Sequence, residues 1–138
     1  MKVYVLDANA LYRFLTGGPG ADTVNRLFRE ARDAEQPLLM SVINWGEVYY
    51  TIAKVEGFVE TSHIMDRVRL LPLAILEAGE TVTAQAAQLK AGHGLPYADC
   101  FAAATAARDG VLVTSDAKDF KKISGLHVLP LPEHKKKN

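Results

Sequence analysis

Short apolar runs alternate along the chain with stretches whose apolar residues recur every three or four positions, the two periods of strand and helix. Residues 3 to 6, VYVL, form the first run and stop at Asp7, after which Asn9 to Leu15 has helical character until Gly17, Gly18, Pro19 and Gly20 end it. Asp22 stands where a helix N-cap is expected, and Val24, Leu27, Phe28 and Ala31 fall at i, i+3, i+4 and i+7, one stripe of an amphipathic helix closed by Pro37. Leu38 to Met40 reads as a second strand, and Ser41 as the cap of a helix that Gly57 terminates, with Val48, Ile52 and Val55 as its inward stripe. Ile64, Val68 and Leu71 mark a further helix before Pro72, and Leu73 to Leu76 a third strand. Val82, Ala86 and Leu89 form another stripe, and the turn formers GHGLP separate it from an alanine-rich helix, YADCFAAATAARDG, with Gly110 as its stop. VLVTSD then reads as a strand ending at Asp116, HVLPLP as the last strand, and residues 133–138 as a short basic polar tail. Strands alternating with helices imply parallel crossovers, and near-continuous apolar strands imply a sheet covered on both faces. The expected architecture is one three-layer α/β/α domain spanning 1–138, without repeats or linkers.

The 138 residues suit a single core, and 49% hydrophobic against 23% charged residues excludes a disordered chain. Charges interrupt every candidate for a bilayer span, and the N-terminal run meets Asp7 too soon for a signal peptide, so no membrane association and no secretion are expected. Cys100 is alone, which excludes an internal disulfide and points to a cytoplasmic protein. His63, His93, His127 and His134 are dispersed, with no i, i+4 pair for zinc. Sixteen Lys and Arg balance sixteen Asp and Glu, which argues against a broad basic coat for nucleic acid. If four of the acids are gathered in one site, however, the rest of the surface carries an excess of four positive charges, and a basic rim around an acidic pit becomes the expectation.

Four acids stand apart by position. Asp7 follows the first strand and Asp116 the fourth, and in an open parallel sheet ligands bind beyond the strand C-termini. Glu47 lies within an otherwise apolar and aromatic helix after the second strand, and Asp99 in the first turn of the alanine helix, whose small Ala102, Ala103 and Ala106 allow close approach to the sheet. Carboxylates converging on one point raise one another's pKa, so a divalent cation is their natural occupant, and an oxygen-only donor set favours Mg²⁺ or Mn²⁺. Each acid also has a plainer reading: Asp7 as a turn former, Glu47 as an exposed helix residue, Asp99 as an acid favoured at a helix N-terminus, and Asp116 as an Asx-turn or cap for AKDF. Asp119 would share a helix face with Asp116 and is the first substitute for it. Arg13, Lys118 and Lys121 are either phosphate contacts at the rim or a solvated face.

Four segments carry a resemblance over nearly the whole length: YVLDANALYRFL around Asp7, SVINWGEV around Glu47, LPYADCFAAATAA around Asp99 and VLVTSDAKDF around Asp116. In this order and spacing the chain resembles PIN domains, and among them the small stand-alone VapC toxins of toxin-antitoxin pairs. The resemblance implies a five-stranded parallel sheet in the order 3-2-1-4-5 and a metal-dependent ribonuclease whose catalytic and metal-binding acids are Asp7, Glu47, Asp99 and Asp116. Asn9, Ser115 and Asp119 would support them from behind. Ala8 stands where the family commonly has Thr, while Asn9 keeps a polar group where the family has Ser or Asn.

The activity so implied is hydrolysis of RNA by water activated at Mg²⁺ or Mn²⁺, leaving a 5′-phosphate and a 3′-hydroxyl. Implied partners are an RNA substrate, a VapB-like antitoxin and a second copy in a homodimer. Trp45, Tyr49, Tyr50 and Phe58 cluster on and just after the Glu47 helix, and either face such an antitoxin or pack on the helix of residues 60–71. Other classes stay open: an RNA-maturation nuclease without antitoxin, a silent binding module of the same fold, or a phosphatase or phospho-accepting domain. The phosphatase pattern wants a second Asp two residues after the first, where this chain has Asn9.

Overall fold

The computed structural model describes residues 2–107 and 110–133, so His134 and the rest of the expected basic tail lie outside the described residues. Five short strands, β1 (Val3–Leu6), β2 (Leu38–Ser41), β3 (Leu73–Leu76), β4 (Gly110–Thr114) and β5 (His127–Pro130), form one sheet in the order β3-β2-β1-β4-β5. Every pairing is parallel, with Val5 opposite both Leu39 of β2 and Leu112 of β4. This is the three-layer fold with the expected strand order.

The period of two decides what each face meets. Leu6 and Val113 point into one core with α1 (Ala8–Thr16), α2 (Ala21–Asp33) and α3 (Val42–Val68), through Leu11, Phe28, Val48 and Met65. Val5 and Leu112 point into the other, with α4 (Glu80–His93), α5 (Tyr97–Ala106) and α6 (Ala117–Phe120), through Ala86, Phe101 and Phe120. Burial of both faces is why the central strands read as unbroken apolar runs. Ala102, Ala103 and Ala106 are fully buried, as close packing of α5 on the sheet requires.

Some boundaries differ from those the pattern suggests. Gly20, not Asp22, takes the N-cap of α2, and Asp22 falls in its first turn. Gly110 does not stop α5, which ends at Ala106; it opens β4, where an added Cβ would lie 3.1 Å from the Ala106 Cα and carbonyl oxygen. Only a residue without a side chain lets the strand start so close under the helix end. Gly57 (φ 79, ψ 170) breaks α3 into two arms rather than ending it, because a backbone in the left-handed half of the map cannot continue the helix. Val55, two residues before that break, is 76% exposed, so the inward stripe stops at Ile52: the first arm outruns the core it packs on. Among the described residues no helix is long and apolar enough to cross a membrane.

Candidate active site

The strand order reverses direction between β1 and β4, which neighbour each other although five helices and two strands separate them in sequence. Chains leaving such neighbours diverge and open a crevice at their C-terminal ends. Asp7 and Asp116 stand there, directly after β1 and two residues after β4. Asp7 is the N-cap of α1, with extended backbone and Oδ1 accepting the Ala10 N–H at 2.8 Å. The turn-former reading is thus part of its role, since the cap holds the carboxyl in place at the mouth of the crevice.

Glu47 arrives from α3. Ser41 caps that helix through Oγ, which accepts the Ile43 N–H at 3.2 Å, and Glu47 lies in its second turn with Oε1 accepting from Asn44 Nδ2 at 2.9 Å. Asp99 sits in the first turn of α5, where an acid is favoured by the helix dipole. The structure brings all four acids to one cleft of about 330 Å³, which Asn9, Tyr12 and Thr51 also line. Tyr12 and Thr51 were not anticipated from sequence. Thr51 lies four residues after Glu47 and so on the same helix face, a spacing that was available to find it.

The expected supporting residues divide. Asn9 Nδ2 donates to Ser115 Oγ at 2.5 Å, joining the start of α1 to the end of β4 behind the cleft. The Asp116 N–H is held at 3.0 Å by Thr114 Oγ1, and its side chain makes no cap bond to α6. Asp119 does not line the cleft, yet its charge is near enough to act on Asp99. Lys118 is exposed, with Nζ 3.6 Å from Glu133, and Lys121 is exposed just after α6. Arg13 departs from the expectation of a rim contact. It is buried, and its Nη1 donates to the carbonyls of Pro19, at 3.1 Å, and Pro132, which fastens the chain after β5 to the loop between α1 and α2.

Electrostatically the cleft is unbalanced. Burial above all, and then the charges of Asp116 and Asp99, push the Asp7 carboxyl up to about 7, against the Thr114 hydroxyl and the Ala10 N–H that hold it down. Burial, then Glu47, Asp116 and Asp119, push Asp99 up to about 6. Among the described residues no Lys or Arg pairs with any of the four acids. Cys100, buried behind Asp99, has its thiol pushed above the ordinary range by burial and by that acid, which suits packing and not nucleophilic attack.

An all-oxygen donor set with excess negative charge fits a hard divalent cation. Among the described residues no three His, Cys, Asp or Glu side chains are gathered closely enough to hold a metal ion as they stand.

The family model described as PIN domain matches residues 4–126. No curated protein matches the sequence significantly. Among solved structures, the fold is similar to a chain of VapBC2 from Rickettsia felis bound to a promoter DNA fragment, with TM-score 0.76 and 21% identity, covering 93% of this chain and 98% of that one. It is similar to a chain of DNA-bound VapBC from Salmonella typhimurium, with TM-score 0.77 and 18% identity over 94% and 98% of the two chains. VapBC-1 from nontypeable Haemophilus influenzae gives TM-score 0.68 and 18% identity over 93% and 97%.

Proposed function

The chain belongs to the PIN-domain family, and from that premise we propose that it is a divalent-metal-dependent endoribonuclease, the VapC-type toxin of a toxin-antitoxin pair acting in the cytoplasm. The observation that carries the reading is the single cleft lined by Asp7, Glu47, Asp99 and Asp116, with Asp7 pushed up to about 7 and, among the described residues, no Lys or Arg paired with any of them. Protein charges buried for stability alone are ordinarily paired.

In this reading Asp7, Asp99 and Asp116, with Glu47, hold Mg²⁺ or Mn²⁺. The ion, when bound, acidifies a water and neutralises charge developing on the phosphate. The chain's own part is placement. The α1 cap fixes Asp7, the Asn9–Ser115 bond locks the loop after β4 against α1, and the exposed Lys118 and Lys121 meet phosphates outside the cleft. No side chain of the cleft has to act as a nucleophile, and the RNA leaves with a 5′-phosphate and a 3′-hydroxyl.

An antitoxin has a suitable seat beside this cleft. An apolar hollow of about 440 Å³ lies between α1 and the two arms of α3, lined by Phe14, Leu15, Ile52, Ile64 and Val68, and Tyr12 is a wall of both hollow and cleft. A docked amphipathic helix would cover the hollow and reach past Tyr12 to set a basic residue on the acids. Of the aromatic cluster, Trp45 and Tyr49, ring centroids 5.7 Å apart, pack partly buried against the core, while Tyr50 and Phe58 are exposed. The active protein is proposed to be a homodimer.

The test is cleavage of single-stranded RNA by the purified chain. Activity with Mg²⁺ or Mn²⁺, lost on chelation and leaving 5′-phosphate ends, is the expected result. Full activity in excess chelator, or 2′,3′-cyclic phosphate ends, would overturn the reading.

A further inference from the structure

One deeply buried polar side chain lies beside the cleft without lining it. Asn44 is 1% exposed, in the first turn of α3 and three residues before Glu47, so the two share a helix face. Its Nδ2 donates to Glu47 Oε1 at 2.9 Å and to the Ala98 carbonyl at 3.0 Å. Ala98 immediately precedes Asp99 in the first turn of α5. Both amide protons are therefore in use, and chemistry fixes which end of the amide is nitrogen: turned over, its oxygen would face two acceptors. The same arrangement leaves Oδ1 buried with no hydrogen-bond partner among the described residues. An apolar side chain of the same shape would avoid that desolvation, so packing does not explain an asparagine here.

We infer that Asn44 is a positioning residue, whose one amide fixes a Glu47 oxygen and ties α3 to the turn that carries Asp99. Two acids that reach the cleft from different helices are thereby held at a set spacing. A neutral donor does this without cancelling the negative charge on which the cleft depends, as Lys or Arg at the same place would. The consequence for metal binding rests on the nuclease reading.

The test is a double-mutant cycle of Asn44→Leu, which fills the space but has no donors, with Glu47→Ala, read by the free Mn²⁺ signal in electron paramagnetic resonance. Asn44→Leu should melt near the wild type, bind Mn²⁺ about tenfold or more weakly, and lower kcat for RNA with KM unchanged. In the Glu47→Ala background it should change Mn²⁺ affinity by no more than about twofold. Unchanged Mn²⁺ affinity in the folded single variant, or an equal loss in both backgrounds, would overturn the inference. Should Asn44→Leu not fold, Asn44→Ala serves in the same cycle. If the wild type takes up no Mn²⁺ and cuts no RNA, the nuclease reading fails, and metal-free crystals of the variant decide on Asn44 separately. A Glu47 carboxylate displaced on the order of 1 Å supports the role, and an unmoved one overturns it.

Discussion

Helix α1 carries a buried charge near each end, Asp7 at 4% and Arg13 at 5% exposure, and the protein treats the two differently. Each suits the helix dipole, the acid at the N-terminus and the base in the last turn. Arg13 is also partnered: Nη1 donates to two backbone carbonyls, and the contact joins segments 119 residues apart. Asp7 has the Ala10 N–H and the Thr114 hydroxyl but, among the described residues, no cation; it is otherwise set among like charges, and its carboxyl is pushed up to about 7. A charge buried to hold the fold is satisfied by the fold, whereas one buried in a site is left to be satisfied by what the site binds.

The contrast predicts opposite behaviour on substitution. The largest effect is expected on RNA cleavage, where Asp7→Asn and Asp99→Asn should each lower the rate by about 10³-fold, measured with saturating Mg²⁺. Asn at position 7 still accepts the Ala10 N–H, so the loss would not reflect a lost cap.

Next is stability without metal. A carboxyl whose folded pKa is raised makes the folded state bind more protons than the unfolded one between the two values, so its ionisation weakens the fold as pH rises. For Asp7 the penalty grows from about pH 4, the ordinary value being 3.8, and levels off above about 7. Asp7→Asn removes it, and in chelator the variant should exceed wild type by up to about 4 kcal/mol above pH 7, converging near pH 4. Urea midpoints across that range measure the gap, and a gap independent of pH would place its cause elsewhere than Asp7.

Arg13→Ala should behave in the opposite sense, losing about 3 kcal/mol at every pH in that window because two carbonyls lose a charged donor. Once folded at low temperature, the variant should retain wild-type affinity for RNA. A selective loss of RNA affinity with unchanged stability would return Arg13 to the rim. The smallest effect is expected of Asp119→Asn, within about tenfold in cleavage, since Asp119 acts on Asp99 only through its field. A larger loss than that of Asp116→Asn would exchange the two residues' roles.

The same contrast explains what could be read from the sequence. Asp7 and Asp116 were legible because an apolar run that ends in an acid places that acid at a strand C-terminus, and the parallel topology does the rest. Glu47 and Asp99 were legible as acids in apolar helices. The partners of Arg13 are backbone carbonyls, which leave no mark in a sequence, so a buried Arg there looks the same as a solvated one. Asn44 was hidden for a related reason, since one of its two acceptors is the backbone of Ala98, 54 residues away. Only its spacing of three before Glu47 pointed to it. Val55 continues a helical stripe without a defect in period, and its exposure comes from the arm extending beyond the core. Gly110 had the composition of a helix stop, but the close approach to Ala106 that calls for a glycine is tertiary.

Melting of wild type and Asp7→Asn at pH 8, each in chelator and in millimolar Mn²⁺, tests most directly whether the buried acids await a cation. The expected result is a crossing. In chelator Asp7→Asn melts higher, and Mn²⁺ raises the wild type while moving the variant little, because only the wild type binds the ion tightly in its folded form. Wild-type melting that does not respond to Mn²⁺, together with an Asp7→Asn variant that melts lower in chelator, would contradict it.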